Sequence, residues 1–335
     1  MPDLLTHYDV AKAARARLAP GRLARLLEEA PDAYAVGAQG PDFLFYSHLW
    51  LSGRGRSDLA FFAHQQRMSE AFAAMLQLAG AAPAPDRPAL YAFVCGYAAH
   101  LCLDAGAHPW ILYWTGDVSQ GTDSAAGARA MRRHGIFEAS LDVMLAARHR
   151  PPGFSWPRSR RLLSMQPPRR WSVAAMWSRV MRDVHGLSFT PHEASAAFRN
   201  MAFVYGSMTD KRSPLSLLLR AGGGRLDPRG LARTQIYPEA PHPAVITLVG
   251  ERREWRAPSR PDVPRTQTFA EICDQAVDET AACLQAIEGT AFGGDDLEAA
   301  LAVIGDRNMI TGVACGDPRP LVAFAPERDE LWGEA

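Results

Sequence analysis

The chain has no excess of charge of either sign, because its 36 basic and 36 acidic residues cancel. Without a global positive field it does not fit the proteins that wrap a polyanion such as nucleic acid, although a local basic groove stays compatible with this balance. Long hydrophobic runs are also missing, since no stretch reaches 18 consecutive apolar residues. We therefore expect no transmembrane helix.

The five cysteines do not suggest a thiolate metal site, because none of them forms a CxxC motif. The first ten residues, MPDLLTHYDV, lack the apolar run of a secretory signal. An odd number of cysteines without such a signal predicts reduced, mostly buried thiols and a cytoplasmic protein.

Strand patterns are sparse, whereas apolar residues recur at helical spacing over much of the chain. This periodicity predicts an all-α fold with irregular Pro/Gly-rich segments wrapped around the helices. We expect helices over 9–30 (one or two), 57–80, 88–106, 123–148, 171–186, 191–209, 268–288 and 295–304.

Glycine and proline concentrate in residues 221–265, where we expect irregular chain with one short β pair near 244–257. We expect residues 1–290 to form a single helical domain. Residues 291–335 would be an extension that packs on this domain and ends in loose residues. The arginine-rich segment 148–170 is either a solvated linker, which we favour, or a binding surface for phosphate or an anionic membrane.

The chemistry-bearing pattern begins on the predicted helix 88–106. His100 and Asp104 are four residues apart, so they lie on one helical face and can chelate one ion. Eight residues of helix rise about 12 Å, which is too far for one ion to bridge His100 and His108. His108 therefore serves a second ion, or it lies beyond a helix end that Gly106 and Pro109 allow.

The next predicted helix repeats the pattern with His134 and Glu138, and Asp142 follows at i+8, as a ligand or as a residue that orients a ligand histidine. A single pair of this kind is common on helices and usually has a structural role instead of binding a metal ion. Two pairs within 43 residues, one of them in an apolar segment, favour a metal site. Zinc accepts both imidazole and carboxylate, and two zinc ions about 3.5–4 Å apart can clamp a phosphate.

The order of these motifs resembles the zinc-dependent phospholipase C family over nearly the whole chain. The most specific parts are the paired HxxxDxxxHP and HxxxExxxD motifs. The matching segments are MPDLLTHY at the start, GAQGPDFLFY at 37–46, FFAHQQRM around His64, GYAAHLCLDAGAHPW at 96–110, HGIFEASLD at 134–142, EWRAPSRP at 254–261, TFAEICDQA at 268–276 and NMITG at 308–312.

The resemblance implies a multi-helix bundle, shared with fungal single-strand nucleases, that holds two or three zinc ions in a cleft. It implies one zinc ion on His64, His100 and Asp104, a second on His108, His134 and Glu138, and a third on His7 and Asp42 with the amino terminus. It also implies that a water bridging the zinc ions attacks phosphorus, with Asp42 orienting or deprotonating this water. The family's third site uses an amino-terminal Trp, whereas this chain starts Met1-Pro2.

Three functions compete at this point. The first, which we favour, is a phospholipase C-like hydrolase acting on phospholipid or a related phosphodiester. The second is a single-strand nuclease, for which Trp110, Tyr113 and Trp114 would supply a stacking platform unless they are core residues. The third is a zinc-stabilised helical protein without catalytic activity.

Overall fold

The computed structural model describes residues 4–47, 57–121, 123–148, 157–210, 212–227 and 231–333. These ranges confirm the predicted all-α fold, since they contain sixteen α-helices and a single two-stranded sheet. The helices are α1 (Leu4–Arg15), α2 (Arg22–Glu29), α3 (Pro31–Gly37), α4 (Ser57–Gln65), α5 (Met68–Ala81), α6 (Arg87–Thr115), α7 (Ala125–Arg148), α8 (Pro157–Leu162), α9 (Pro167–Asp183), α10 (Pro191–Met208), α11 (Pro214–Leu226), α12 (Leu231–Thr234), α13 (Pro243–Gly250), α14 (Phe269–Glu288), α15 (Leu297–Ile304) and α16 (Arg328–Trp332).

Helix α6 is the centre of the protein, with α1, α3 and α14 among the helices packed along it. Its length and composition would suffice to cross a membrane, but 94% of its most apolar window is buried inside the protein. This burial is what the core helix of a globular fold shows.

Helix α6 continues through Pro109 to Thr115, so the predicted end near residue 106 was wrong. A proline inside a helix leaves the carbonyl four residues earlier without its usual donor, here that of Ala105. The turn at Gly312 packs against this carbonyl: a Cβ on Gly312 would lie 2.4 Å from the Ala105 oxygen and 2.9 Å from the Pro109 ring. A glycine distant in sequence therefore packs where the helical hydrogen bond is missing, and His108 lies within the helix.

Two other predicted helices have different bounds. The segment 57–80 is divided into α4 and α5 because Arg67 takes the left-handed backbone conformation, with φ of 55°. His64 consequently lies in the last turn of α4. Helix α9 begins at Pro167, inside the segment that we expected to be a loop.

The segment 221–265 is more helical than its glycine and proline content suggested. It contains the end of α11 and the short helices α12 and α13. The β pair exists, but it joins β1 (Trp255–Ala257) to β2 (Arg260–Arg265) in antiparallel register, and residues 244–250 are helical.

Capping boxes mark the starts of two predicted helices. Thr190 and Glu193 form a complete capping box at the start of α10, and Thr268 and Glu271 form another at the start of α14. In both, the threonine hydroxyl accepts from the backbone of the glutamate while the carboxylate accepts from the backbone of the threonine.

The carboxyl-terminal segment is attached to the body of the protein almost to its end. Trp332 in α16 is 2% exposed, and its indole nitrogen donates to the Trp114 carbonyl at 2.9 Å. These contacts reach residue 332, and the expected looseness of the final residues stays a prediction. The division of the chain at residue 290 stays a prediction.

Candidate metal centre

Eight buried imidazole and carboxylate side chains meet inside the bundle. They come from α1, α4, α6, α7 and a short 3-10 helix, Gly40–Tyr46, that carries Asp42. Within each of three groups, the candidate ligand atoms lie within 4.8 Å of one another, a spacing that one ion can fill. The groups are His7–His100–Asp104, Asp42–His64–His100 and His108–His134–Glu138.

The deepest group contains His7, His100 and Asp104, whose side chains are completely buried. The His7 Nε2 atom lies 3.3 Å from Asp104 Oδ1, and the His100 Nε2 atom lies 3.1 Å from Asp104 Oδ2. None of these four atoms has a hydrogen-bond partner among the described residues. Buried polar atoms need partners, so their convergence fits a cation.

Asp104 is the electrostatic centre of this arrangement, because its Oδ2 atom also lies 3.5 Å from His108 Nδ1. Burial disfavours its charge, but the His100 imidazole holds the pKa of Asp104 well below its usual range. Burial likewise opposes the charge of His100, while the carboxylates of Asp104 and Asp42 raise its pKa. The Asp104 carboxylate is therefore anionic in the protein interior.

Asp42 and His64 form the second group with His100. The His64 Nε2 atom lies 3.0 Å from Asp42 Oδ1, and the His100 Nε2 atom lies 3.9 Å from the same oxygen. His100 therefore stands between two carboxylates, and its Nε2 can face only one ion. The resemblance instead pairs His64 with Asp104, so the division of ligands among the ions stays a prediction.

The third group joins His108 on α6 to His134 and Glu138 on α7. The two imidazole rings stack with centroids 5.4 Å apart, and His134 Nε2 lies 2.9 Å from Glu138 Oε1. Burial lowers the pKa of His108 to about 3 and that of His134 well below its usual value. Both rings are neutral at physiological pH, which is the form that binds zinc.

Three of the imidazoles are oriented by backbone carbonyls. The Nδ1 atoms of His64, His100 and His108 lie 2.6, 3.2 and 2.8 Å from the carbonyl oxygens of Ala60, Ala38 and Met309. Because a carbonyl can only accept, each Nδ1 carries a proton, and in the neutral ring the Nε2 atom then keeps the lone pair that can bind a metal ion. This is the second layer of contacts that fixes the tautomer of a metal-binding histidine.

The glycine-containing segment GAQGPDF, residues 37–43, packs closely against His100. Gly40 has φ of 52°, and a Cβ at this position would lie 2.2 Å from the Cδ2 atom of His100. Only glycine combines the left-handed conformation with this close approach. The turn therefore brings Asp42 and the Ala38 carbonyl to opposite sides of the His100 ring.

Asp142 is not grouped with the candidate ligands, and no histidine stands among its hydrogen-bond partners in the described part of the chain. It accepts hydrogen bonds from the Leu5 and Thr6 amides at 2.6 and 2.9 Å, and from the hydroxyls of Thr6 and Tyr237. Burial raises its pKa to about 6 against the effect of these hydrogen bonds. Its role is to cap the start of α1, the helix that carries His7.

A cavity of about 370 Å³ opens onto part of this centre. Asp42, His64, His108, His134 and Glu138 contribute to its wall, whereas the His7–His100–Asp104 group lies behind it. Its walls are otherwise mostly apolar, and the described residues that line it include neither lysine nor arginine. Among the apolar and aromatic wall residues that the sequence did not single out are Phe45, Tyr46, Phe61, Leu112, Leu163, Met201, Val204 and Tyr205.

The aromatic residues after His108 belong to the core. Trp110 and Trp114 are 3% and 1% exposed, and Trp110 packs edge to face on Phe137. Tyr113 is also buried and packs on Trp114. The structure supports the interpretation of these three aromatic residues as core residues, so they offer no platform for stacking bases.

An all-α bundle with grouped imidazoles and carboxylates around an interior cavity has the features of a multinuclear zinc protein. The family model described as zinc-dependent phospholipase C matches residues 6–186, a span that includes all eight candidate ligands. Because this span is more than half of the 335 residues, the chain belongs to the zinc-dependent phospholipase C family. No curated protein and no solved structure matches the chain.

Proposed function

We propose that the protein is a zinc-dependent phosphodiester hydrolase of the phospholipase C type, with phospholipid or a related phosphodiester as its substrate. The observation that carries the proposal is the cavity wall, where Asp42 and His64 share one space with His108, His134 and Glu138. Family membership supports the same reaction class. The cytoplasmic location stays a prediction.

The donor set suits zinc, because it combines neutral imidazoles with carboxylates and leaves buried atoms of His7, His100 and Asp104 without hydrogen bonds in the described part of the chain. The eight residues would hold two or three ions. Bound zinc would act as a Lewis acid on phosphate oxygens and lower the pKa of a water that attacks phosphorus.

The chain's own groups have separate tasks in this proposal. Asp42 reaches the cavity with a side chain that is 11% exposed, so it is the candidate to orient the attacking water and accept its proton. The apolar walls would bind apolar substituents of the substrate and exclude bulk water. The His7–His100–Asp104 group lies behind the cavity and would support the centre without touching substrate.

The nuclease alternative is disfavoured by two features of the described residues. The aromatic residues after His108 are buried, and the cavity wall has no basic side chain for a polynucleotide backbone. A purely structural zinc protein is disfavoured because structural zinc sites are closed, whereas two of the three groups here face a cavity.

The test combines metal content with two substrates. Protein purified without added metal should contain two or three zinc ions and should hydrolyse dispersed phosphatidylcholine faster than single-stranded DNA. A chelator should abolish the activity and zinc should restore it. An unchanged rate after complete metal removal contradicts the proposal, and a preference for DNA favours the nuclease.

The role of Asp42 needs a separate variant. Asp42→Asn should lower kcat by about 10²–10⁴-fold, the range expected for loss of a general base. Asp274→Asn, at an exposed position on α14, is the matched control and should retain the wild-type rate. Zinc content measured on both variants separates loss of a base from loss of an ion.

A further inference from the structure

A second cavity, of about 520 Å³, lies between α8, α9 and α10 on the outer side of the metal cleft. Leu163 lines both cavities. Helix α10 separates them, because it turns Met201 and Val204 toward the metal cleft and Phe198 and Phe203 toward the second cavity. The second cavity therefore neighbours the metal centre without containing any of its ligands.

Three arginines line this second cavity, which we call the arginine cavity. They are Arg160 on α8, Arg170 on α9 and Arg199 on α10, and no carboxylate stands among the described residues of the wall. None of the three forms an ion pair within the described ranges, unlike the adjacent Arg169, which pairs with Asp32. Three positive charges thus converge on one space, and no described residue of its wall balances them.

The arginines are held in place by neighbours that leave their charge available. Arg170 donates to the Ser195 hydroxyl at 3.2 Å, and the Arg160 guanidinium lies 6.0 Å from the centre of the Phe203 ring. Burial and the nearby Arg199 lower the pKa of Arg170, as expected for like charges in proximity. Asn200 and Ser164 add neutral polar groups to the wall.

We propose that the arginine cavity binds a phosphate group, presented either by an anionic lipid or by a soluble phosphate. Guanidinium groups match phosphate oxygens with paired hydrogen bonds, and three of them can surround a doubly charged phosphate. Arg160 and Arg170 line this cavity from helices, which the solvated-linker interpretation of the segment 148–170 does not provide. The site does not depend on whether the metal centre hydrolyses phosphodiesters.

The test measures binding of inorganic phosphate to the metal-loaded protein by calorimetry. It also measures cosedimentation with phosphatidylcholine vesicles prepared with and without phosphatidic acid. Arg199→Gln should weaken binding about tenfold, and the double variant with Arg160→Gln about 100-fold, since each lost charged hydrogen bond costs about one factor of ten. Affinity should also fall as salt is raised.

Two controls identify the site. Arg22→Gln, at an exposed position on α2 outside the cavity wall, should bind like the wild type. His134→Ala disturbs the metal centre and should leave binding at the arginine cavity intact. Because Arg160 and Arg199 are exposed, their variants should keep the wild-type melting temperature.

The outcomes separate the sources of phosphate. Arginine-dependent binding of inorganic phosphate supports a soluble ligand, and arginine-dependent binding only to vesicles with phosphatidic acid supports a lipid headgroup. Absence of both kinds of binding overturns the proposal. So does phosphate binding of which no component is weakened by the double arginine variant, because all of that binding would then belong to the metal centre or to another site.

Discussion

Gly40→Ala is a sharp test of how the fold builds the metal centre. The substitution adds one methyl group, yet its Cβ would lie 2.2 Å from Cδ2, 2.4 Å from Cγ and 2.7 Å from Nε2 of His100. Ordinary van der Waals contact begins near 3.4 Å, so the ring must move by about 1.2 Å. That displacement disturbs both the Nδ1 contact with Ala38 and the position of Nε2.

Two costs follow from the geometry. Alanine in the left-handed conformation costs about 1–2 kcal/mol of folding free energy. Displacement of the His100 ring should lower zinc affinity by about 10–100-fold, the usual effect of disturbing contacts that orient a ligand. We therefore expect partial zinc loss on dialysis, a lower melting temperature and a corresponding loss of hydrolysis.

Gly186→Ala is the matched control. Gly186 has φ of 68°, so alanine there meets the same backbone strain, but a Cβ would have no atom within 4 Å. The control should lose stability without losing zinc. If Gly40→Ala retains zinc with wild-type affinity and is destabilised no more than Gly186→Ala, the proposed contact with His100 is refuted.

Two further predictions concern stability away from the ions. Because the pKa of Asp142 in the folded chain is raised to about 6, above the roughly 3.9 of an unfolded chain, its stabilising contribution is complete below pH about 4 and is lost as the pH rises through 6. The loss amounts to about 3 kcal/mol, and urea unfolding of zinc-loaded protein should show it in the wild type but not in Asp142→Asn. Trp332→Ala should lower the free energy of unfolding by about 3–5 kcal/mol, seen as a lower melting temperature; an unchanged value would mean that α16 is detached in solution.

Local sequence signals predicted the starts and the buried faces of several helices. Capping boxes at Thr190 and Thr268 define helix starts within a few residues, and periodic apolar positions define the buried faces. The continuation of α6 through Pro109 depends instead on Gly312, about two hundred residues away. No local pattern encodes such a contact, so the predicted helix ended too early.

The candidate site shows the same division. Spacing of four residues predicted that His100 approaches Asp104 and that His134 approaches Glu138, and both pairs are within 3.1 Å. The carbonyls of Ala38 and Met309 were not predictable, because every residue has a carbonyl and only the fold selects these. Asp142 was misread because its spacing fits a ligand, whereas its partners lie at the start of the chain.

The charge of the centre leads to a last prediction, about the order in which zinc ions bind. Among the eight candidate ligands, only Asp42, Asp104 and Glu138 are carboxylates, so they supply three negative charges. Two zinc ions carry four positive charges, whereas three carry six. Asp104 lies near the imidazoles of His7, His100 and His108. Its carboxylate carries a single negative charge, so it can balance only one positive charge of the bound ions.

The third ion therefore adds charge that the buried side chains do not balance, and Coulomb repulsion from the first two grows in a low-dielectric interior. Zinc titration of chelator-treated protein should accordingly show a weaker final step. Addition of phosphate, an anion that can balance the excess, should strengthen that step more than the first. A single class of equally tight sites, insensitive to phosphate, would show that the protein supplies compensating charge from elsewhere.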